Sequence, residues 1–242
     1  METRLGFKPV RTKRAFEEVC EQIRAEIRSG RLSAGDKLPA ERELAEQLRV
    51  SRATIREAFR TLEIGGVLTL QKGVKGGAVV MRGDTRPITQ TITDLLALGG
   101  LSLDDYTEAR TCLQREVIQL ACARGTEEDF AALEANIEQT RQMTNPEQIE
   151  DRTALTVEFY LLLSRATRNK AMEILMAAVT EPLAFYIKKI GVDRSWDVAA
   201  SRTLVVRHLR ERNAVAAIDE MVAHMDRLHA YMLSRKDITT GP

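Results

Sequence analysis

Leu38-Pro39-Ala40-Glu41-Arg42-Glu43-Leu44-Ala45-Glu46-Gln47-Leu48 is followed, after Arg49-Val50, by Ser51-Arg52-Ala53-Thr54-Ile55-Arg56-Glu57-Ala58-Phe59-Arg60-Thr61-Leu62. Leu44, Ala45 and Leu48 recur at the spacing of one helical face. Pro39 suits a helix N-terminus, where a missing N–H breaks no bond, so a short helix is expected over Pro39 to Leu48. Ser51 is a good N-cap, and Gly65-Gly66 a good stop, for a second helix over Ser51 to Gly65. Two helices joined by so tight a break make a helix-turn-helix. Such a motif lays its second helix in the DNA major groove, N-terminal residues towards the base edges. Arg52 and Arg56, four residues apart, share a face there, while Ala58, Phe59 and Leu62 are left for the core. An arginine can grip guanine in bidentate fashion, worth about 1–3 kcal/mol of discrimination. Ser51 and Thr54 can reach phosphate or a thymine methyl. The plainer alternative is that both arginines are solvated charges paired with Glu57 or Glu63.

The flanks agree with this reading. Upstream, Phe16, Val19, Ile23 and Ile27 line one face of an expected helix over Ala15 to Arg28, stopped by Ser29-Gly30. Lys8, Arg11, Lys13 and Arg14 form a basic arm before it. Downstream the period changes to two: Val67-Leu68-Thr69-Leu70 and Ala78-Val79-Val80 flank a glycine- and lysine-rich tip at Lys72-Gly73, which reads as a hairpin. Three helices and then a hairpin is the order of a winged helix-turn-helix, assigned to residues 1–81. Residues 1–82 hold 17 Lys and Arg against 11 Asp and Glu, and the remainder 19 against 24. The overall charge of +1 therefore hides a basic first third, suited to a polyanion.

Residues 82–94 (from Arg82-Gly83-Asp84-Thr85-Arg86-Pro87) are expected to be a linker and the start of a first bundle helix, and residues 95–242 an all-helical domain. Helices are expected over Ile88 to Leu98, Ser102 to Arg124, Thr126 to Met143, Asn145 to Ala166, onward from Asn169, Ser195 to Arg212, and Asn213 to Lys236. Thr126-Glu127-Glu128-Asp129 resembles a capping box. Pro182 should kink or interrupt its helix. Asp237 to Pro242 is expected to fray. The fold class is therefore mainly α, a winged helix-turn-helix followed by an all-α bundle. The three cysteines, Cys20, Cys112 and Cys122, fit neither a zinc site nor a disulfide framework and are expected in the core. No apolar run approaches the roughly 18 residues needed to span a bilayer, and Met1-Glu2-Thr3-Arg4 opens no signal peptide; a cytoplasmic protein without membrane contact is expected. No nucleophile–base pattern is present, and Gly73-Val74-Lys75-Gly76-Gly77 is no phosphate loop because no helix follows it. An enzyme is not expected.

The stretches Leu38 to Ala45, Val50 to Ala58, Leu62-Glu63 and Gly66-Val67-Leu68 closely resemble the DNA-binding domain of GntR-family bacterial regulators, over about residues 12 to 80. That resemblance implies DNA contacts from Arg42, Arg52 and Arg56 with Thr54 alongside, and a wing whose tip, Lys72-Gly73, enters the minor groove. Glu108-Ala109-Arg110, Thr126 to Leu133, Phe159 to Asn169 and Ala217 to His224 resemble the ligand-binding (FCD) domain of the FadR subgroup. This implies a homodimer on a pseudo-palindromic double-stranded operator, usually a repressor, that binds a small carboxylate or acyl-coenzyme A. Many such relatives hold a divalent metal with one Asp and three His. Here those positions fall at Thr156, Tyr160, Arg202 and His224, and His208 is six residues out of register. One imidazole without acidic or thiolate partners makes a poor metal site, so neither metal nor cofactor is expected. Arg202, helped by Arg110, can bind a carboxylate directly, with hydroxyls from Tyr160 and Thr156. Alternatively Tyr160 fills the cavity, Arg202 meets solvent or Asp197, and His224 is a core histidine. The same departure keeps open a DNA-binding protein whose C-terminal domain only dimerises and senses no ligand. Met172, Met176, Met221 and Met225 are expected in the core, where they would also suit an adaptable pocket.

Overall fold

The computed structural model describes residues 15–73, 76–143, 148–190 and 197–235. The chain divides into two compact units, Met1–Pro87 and Ile88–Pro242. The basic arm, the hairpin tip at Val74-Lys75, Asn145-Pro146, Ser195 and the tail from Lys236 lie outside the described residues.

In the first unit, α1 (Ala15–Arg28) turns Val19, Cys20 and Ile23 inward. α2 (Glu41–Leu48) buries Leu44 and Ala45, and α3 (Arg52–Ile64) buries Ile55, Ala58, Phe59 and Leu62. These side chains share one core with Leu68, Ala78 and Val80. The break between α2 and α3 is made by Arg49, whose left-handed backbone (φ 53) returns its N–H to the carbonyls of Ala45 and Glu46. The strands β1 (Leu68–Gln71) and β2 (Gly77–Val80) pair antiparallel, with Leu68 opposite Val80 and Gln71 opposite Gly77. The helix expected from Pro39 begins at Glu41 instead. The residue before a proline is pushed to extended backbone, and Leu38 uses that conformation to donate its N–H to Ala78 while Lys37 bridges Val79. The segment before Pro39 thus adds a short third chain along the free edge of β2.

Seven helices among the described residues follow: α4 (Arg86–Ala97), α5 (Leu103–Arg124), α6 (Glu127–Gln142), α7 (Ile149–Arg165), α8 (Lys170–Ile190), α9 (Val198–Arg210) and α10 (Ala214–Ser234). Their starts follow from side-chain chemistry. Ser102 accepts from the Asp105 N–H and Asp197 from that of Ala200. Asn213 accepts from Ala216, and Thr126 with Asp129 completes a reciprocal capping box. The bundle core includes Phe130, Leu133, Phe159, Leu163, Leu183, Val205, Leu209, Met176, Met221 and Met225, with Met172 packed against it. α8 runs through Pro182 without interruption; Ala178, Leu183 and Ile187 are buried on either side, and that packing outweighs the lost backbone bond. Cys20 and Cys122 are buried, and burial pushes both thiols up, whereas Cys112 is exposed, contrary to expectation. Residue 112 falls on the outer face of α5, where the sequence offers no apolar partner. No helix among the described residues is long and apolar enough to cross a membrane.

Candidate DNA-reading face and candidate effector site

The Ser51 hydroxyl accepts from the Thr54 N–H at 3.1 Å and lies 2.8 Å from the Thr54 hydroxyl, so the two candidate contacts form one cap on α3. Arg52 is exposed and, among the described residues, has no hydrogen-bond or ion-pair partner. Arg56 is held: its Nη2 donates to Glu41 at 2.9 Å and its Nε reaches the other carboxylate oxygen at 3.4 Å. Glu41, at the first turn of α2, is a residue the sequence reading did not single out, and it replaces the expected partners Glu57 and Glu63. Arg42, next to it, lies exposed with a loose contact of 3.9 Å to Glu46. The structure therefore gathers Arg42, Ser51, Thr54 and Arg56 around the N-termini of α2 and α3, with Arg52 one turn from Arg56. Lys72 and Gly73 are exposed on the hairpin, Gly73 at φ 104. No contact among the described residues joins them to that group.

In the second unit, four helices deliver four of the five expected effector residues to one buried place. Tyr160 on α7 and His224 on α10 meet at 2.9 Å between hydroxyl and Nε2. The Arg110 guanidinium, from α5, lies 5.3 Å from the Tyr160 ring centre and 5.8 Å from that of Tyr106. Arg202, from α9, lies 4.5 Å from the ring centre of Phe159 and 5.5 Å from that of Tyr160. Both arginines are only 1% exposed. Arg202 thus neither meets solvent nor pairs with Asp197, which caps α9. Thr156 stands apart from the four, one turn before Tyr160, half-buried, its hydroxyl donating to the Arg152 carbonyl at 3.0 Å.

The electrostatics of this place are one-sided. Nε and Nη1 of Arg110 and all three guanidinium nitrogens of Arg202 lack a hydrogen-bond acceptor in good geometry. The one acceptor for Arg110 is the Met225 thioether, 3.6 Å from Nη2, a weak one. Burial pushes the Arg202 guanidinium down, with the Tyr160 hydroxyl offsetting part of that and Arg152 adding to it. Burial, then Arg202, Arg110 and Arg227, hold His224 well below its ordinary 6.5, so it is neutral. The Tyr106 phenol, pushed up to about 12 chiefly by burial, is neutral as well and donates to the Val179 carbonyl at 2.6 Å. A divalent metal does not fit here. Among the described residues no three His, Cys, Asp or Glu side chains converge, and two guanidinium groups beside the single imidazole repel a cation. Sequence reading missed Tyr106 and Gln114, which stand four residues either side of Arg110 and so on its face of α5. Phe159, under Arg202, was missed as well.

The chain matches the family model described as bacterial regulatory proteins, gntR family, over residues 15–80, and the FCD domain model over residues 105–227. It is 27% identical to the uncharacterized HTH-type transcriptional regulator YcbG of Bacillus subtilis, over 96% of this chain and 93% of that one. It is 30% identical to the putative L-lactate dehydrogenase operon regulatory protein of Escherichia coli, over 91% and 87%. Among solved structures, Streptococcus agalactiae GntR superimposes with a TM-score of 0.61 at 26% identity, covering 89% of this chain and 99% of that one.

Proposed function

This chain belongs to the GntR family of bacterial regulatory proteins and carries an FCD domain, and from that premise we propose a metabolite-controlled repressor of the FadR subgroup. The first unit, taken as residues 1–81, reads a pseudo-palindromic operator as one half of a cytoplasmic homodimer. Arg52 and Arg56 address base edges, Ser51 and Thr54 secure the helix N-terminus against phosphate, Arg42 adds a backbone contact, and Lys72-Gly73 enters the minor groove. The domain over residues 95–242, joined through residues 82–94, binds a small carboxylate or acyl-coenzyme A without a metal, through Arg110, Arg202, Tyr160 and His224, with Thr156 at the margin.

One observation carries the ligand reading: two guanidinium groups, each 1% exposed, stand within 5.5 Å of the centre of one Tyr160 ring with most of their N–H groups lacking an acceptor among the described residues. Aromatic rings, one phenol and one thioether compensate two buried charges only in part, which supports an anion that completes the arrangement. A ligand that prefers one state of the dimer then shifts operator affinity by its differential binding to the two states. The second reading, a domain that only dimerises, draws on the Tyr160–His224 hydrogen bond, which satisfies the phenol and the imidazole Nε2 internally.

The test has two stages. In vitro selection with the full chain yields its operator; Arg52→Ala then weakens specific binding about tenfold or more and relaxes preference at one base pair per half-site. Unchanged affinity and selectivity would remove Arg52 from the reading face. Melting of the full chain against carboxylates and octanoyl-coenzyme A, with and without zinc, separates the two readings of the second unit. A ligand at a hundred times its Kd adds about 2.7 kcal/mol; no shift with any compound would favour the ligand-blind domain.

A further inference from the structure

The charge around the buried arginines defines the ligand more narrowly than the proposed function on which this inference rests. Arg110 and Arg202 hold their guanidinium groups within 5.5 Å of the same Tyr160 ring centre. Neither makes an ion pair with any described carboxylate. The charged groups acting on His224 beside them are all cationic, and Tyr106 stays neutral. A single carboxylate compensates one guanidinium and leaves the other buried and unpaired. Two positive charges in a low-dielectric interior, each with donors free and each near the same ring, are matched by two negative groups carried on one molecule.

A third polar group stands on the Arg110 face of α5. Gln114, one turn along α5 from Arg110, is 1% exposed with both its amide nitrogen and oxygen unanswered. It is the only amide side chain among the described residues to be buried with donor and acceptor both unmet. The Met225 thioether meanwhile occupies one Arg110 donor, a placeholder that a stronger acceptor displaces at little cost because the side chain is unbranched and adaptable.

We propose that the second unit binds a short dicarboxylate, one carboxylate forked on Arg110 and the other on Arg202, with Gln114 adding a polar contact beside Arg110. Full burial of both arginines selects against an acyl-coenzyme A, whose nucleotide is too large and too polar to follow its acyl end into this interior.

The experiment is calorimetric titration and melting of the full chain with malonate, succinate and glutarate, against propionate, butyrate and octanoyl-coenzyme A, for wild type, R110Q and R202Q. The expected result is that at least one diacid binds about tenfold or more tightly than either monoacid, and that each variant abolishes this preference. Without ligand, R202Q melts no lower than wild type, because it removes an uncompensated buried charge. Monoacids binding as tightly as diacids, or octanoyl-coenzyme A binding in their place, would overturn the dicarboxylate while leaving a metal-free sensor standing. Binding by nothing in the panel would overturn both. R202Q melting well below wild type would make Arg202 a structural residue and contradict the proposal independently of any ligand.

Discussion

Arg52 and Arg56 stand one turn apart on α3, yet only Arg56 is held in place, by Glu41. If Arg56 reads DNA as proposed, being fixed beforehand costs it less side-chain entropy on binding, and Glu41 is then a positioning residue. E41Q should therefore raise affinity for random DNA, since it removes a negative charge from the contact face, while lowering the ratio of specific to non-specific binding. Anisotropy titrations on both DNAs at fixed salt measure the two constants, and an unchanged ratio would leave Glu41 without that role. In the second unit the telling residue is His224, buried, neutral and bonded to Tyr160. Its pKa is lowered by burial and by Arg202 and Arg110 from α9 and α5, with Arg227 on its own helix. The unfolded chain takes up this proton as pH falls through about 6.5, and the folded chain does not until far lower pH. Its contribution to stability is thus full above about pH 6.5 and is lost as pH falls below it. Melting midpoints between pH 7.5 and 5 should decline more steeply in wild type than in H224Q; parallel curves would assign the decline to other groups.

At the scale of elements, what was legible from sequence is what local chemistry specifies. Ser51, Ser102 and Thr126 announce helix starts through their own hydroxyls, and all three cap as their positions suggest. Pro39 and Pro182 look like local punctuation in the sequence, but their roles are set by tertiary neighbours: the segment at Leu38 paired to the edge of β2 and the buried flank of α8. The Glu41–Arg56 pair, 15 residues apart, depends on the angle between two helices and was invisible. So was the meeting of Arg110, Tyr160, Arg202 and His224, which needs four helices packed at once. Tyr106 and Gln114 were within reach, since spacing alone puts them on the Arg110 face. One junction also shows why a residue type is required. A Cβ on Gly125 would fall 2.7 Å from both the Ala121 carbonyl and the Phe130 ring. The Gly125 carbonyl also accepts from Arg212 at 2.8 Å, tying the end of α5 to the α9–α10 turn. Gly125→Ala should cost about 1–3 kcal/mol by overpacking, seen as a lower denaturant midpoint with an unchanged slope; a neutral effect would mean that the junction yields without strain.

On the scale of the whole molecule, the proposed function joins a DNA-reading unit to a bundle that takes up an anion. If the bundle takes that anion, its interior is less stable alone than with an apolar centre, and the deficit returns as binding energy when the ligand enters. Because coupling between two sites is reciprocal, what the diacid does to operator affinity the operator must do to diacid affinity. The most direct measurement is the operator Kd of the full chain, by anisotropy on its selected DNA, with and without a saturating concentration of the diacid that raises its melting temperature, repeated for R202Q. The account predicts a change of about fivefold or more for wild type, an equal reciprocal change in diacid affinity when operator is present, and none for R202Q. An operator Kd that stays constant while the diacid demonstrably occupies the second unit would contradict it.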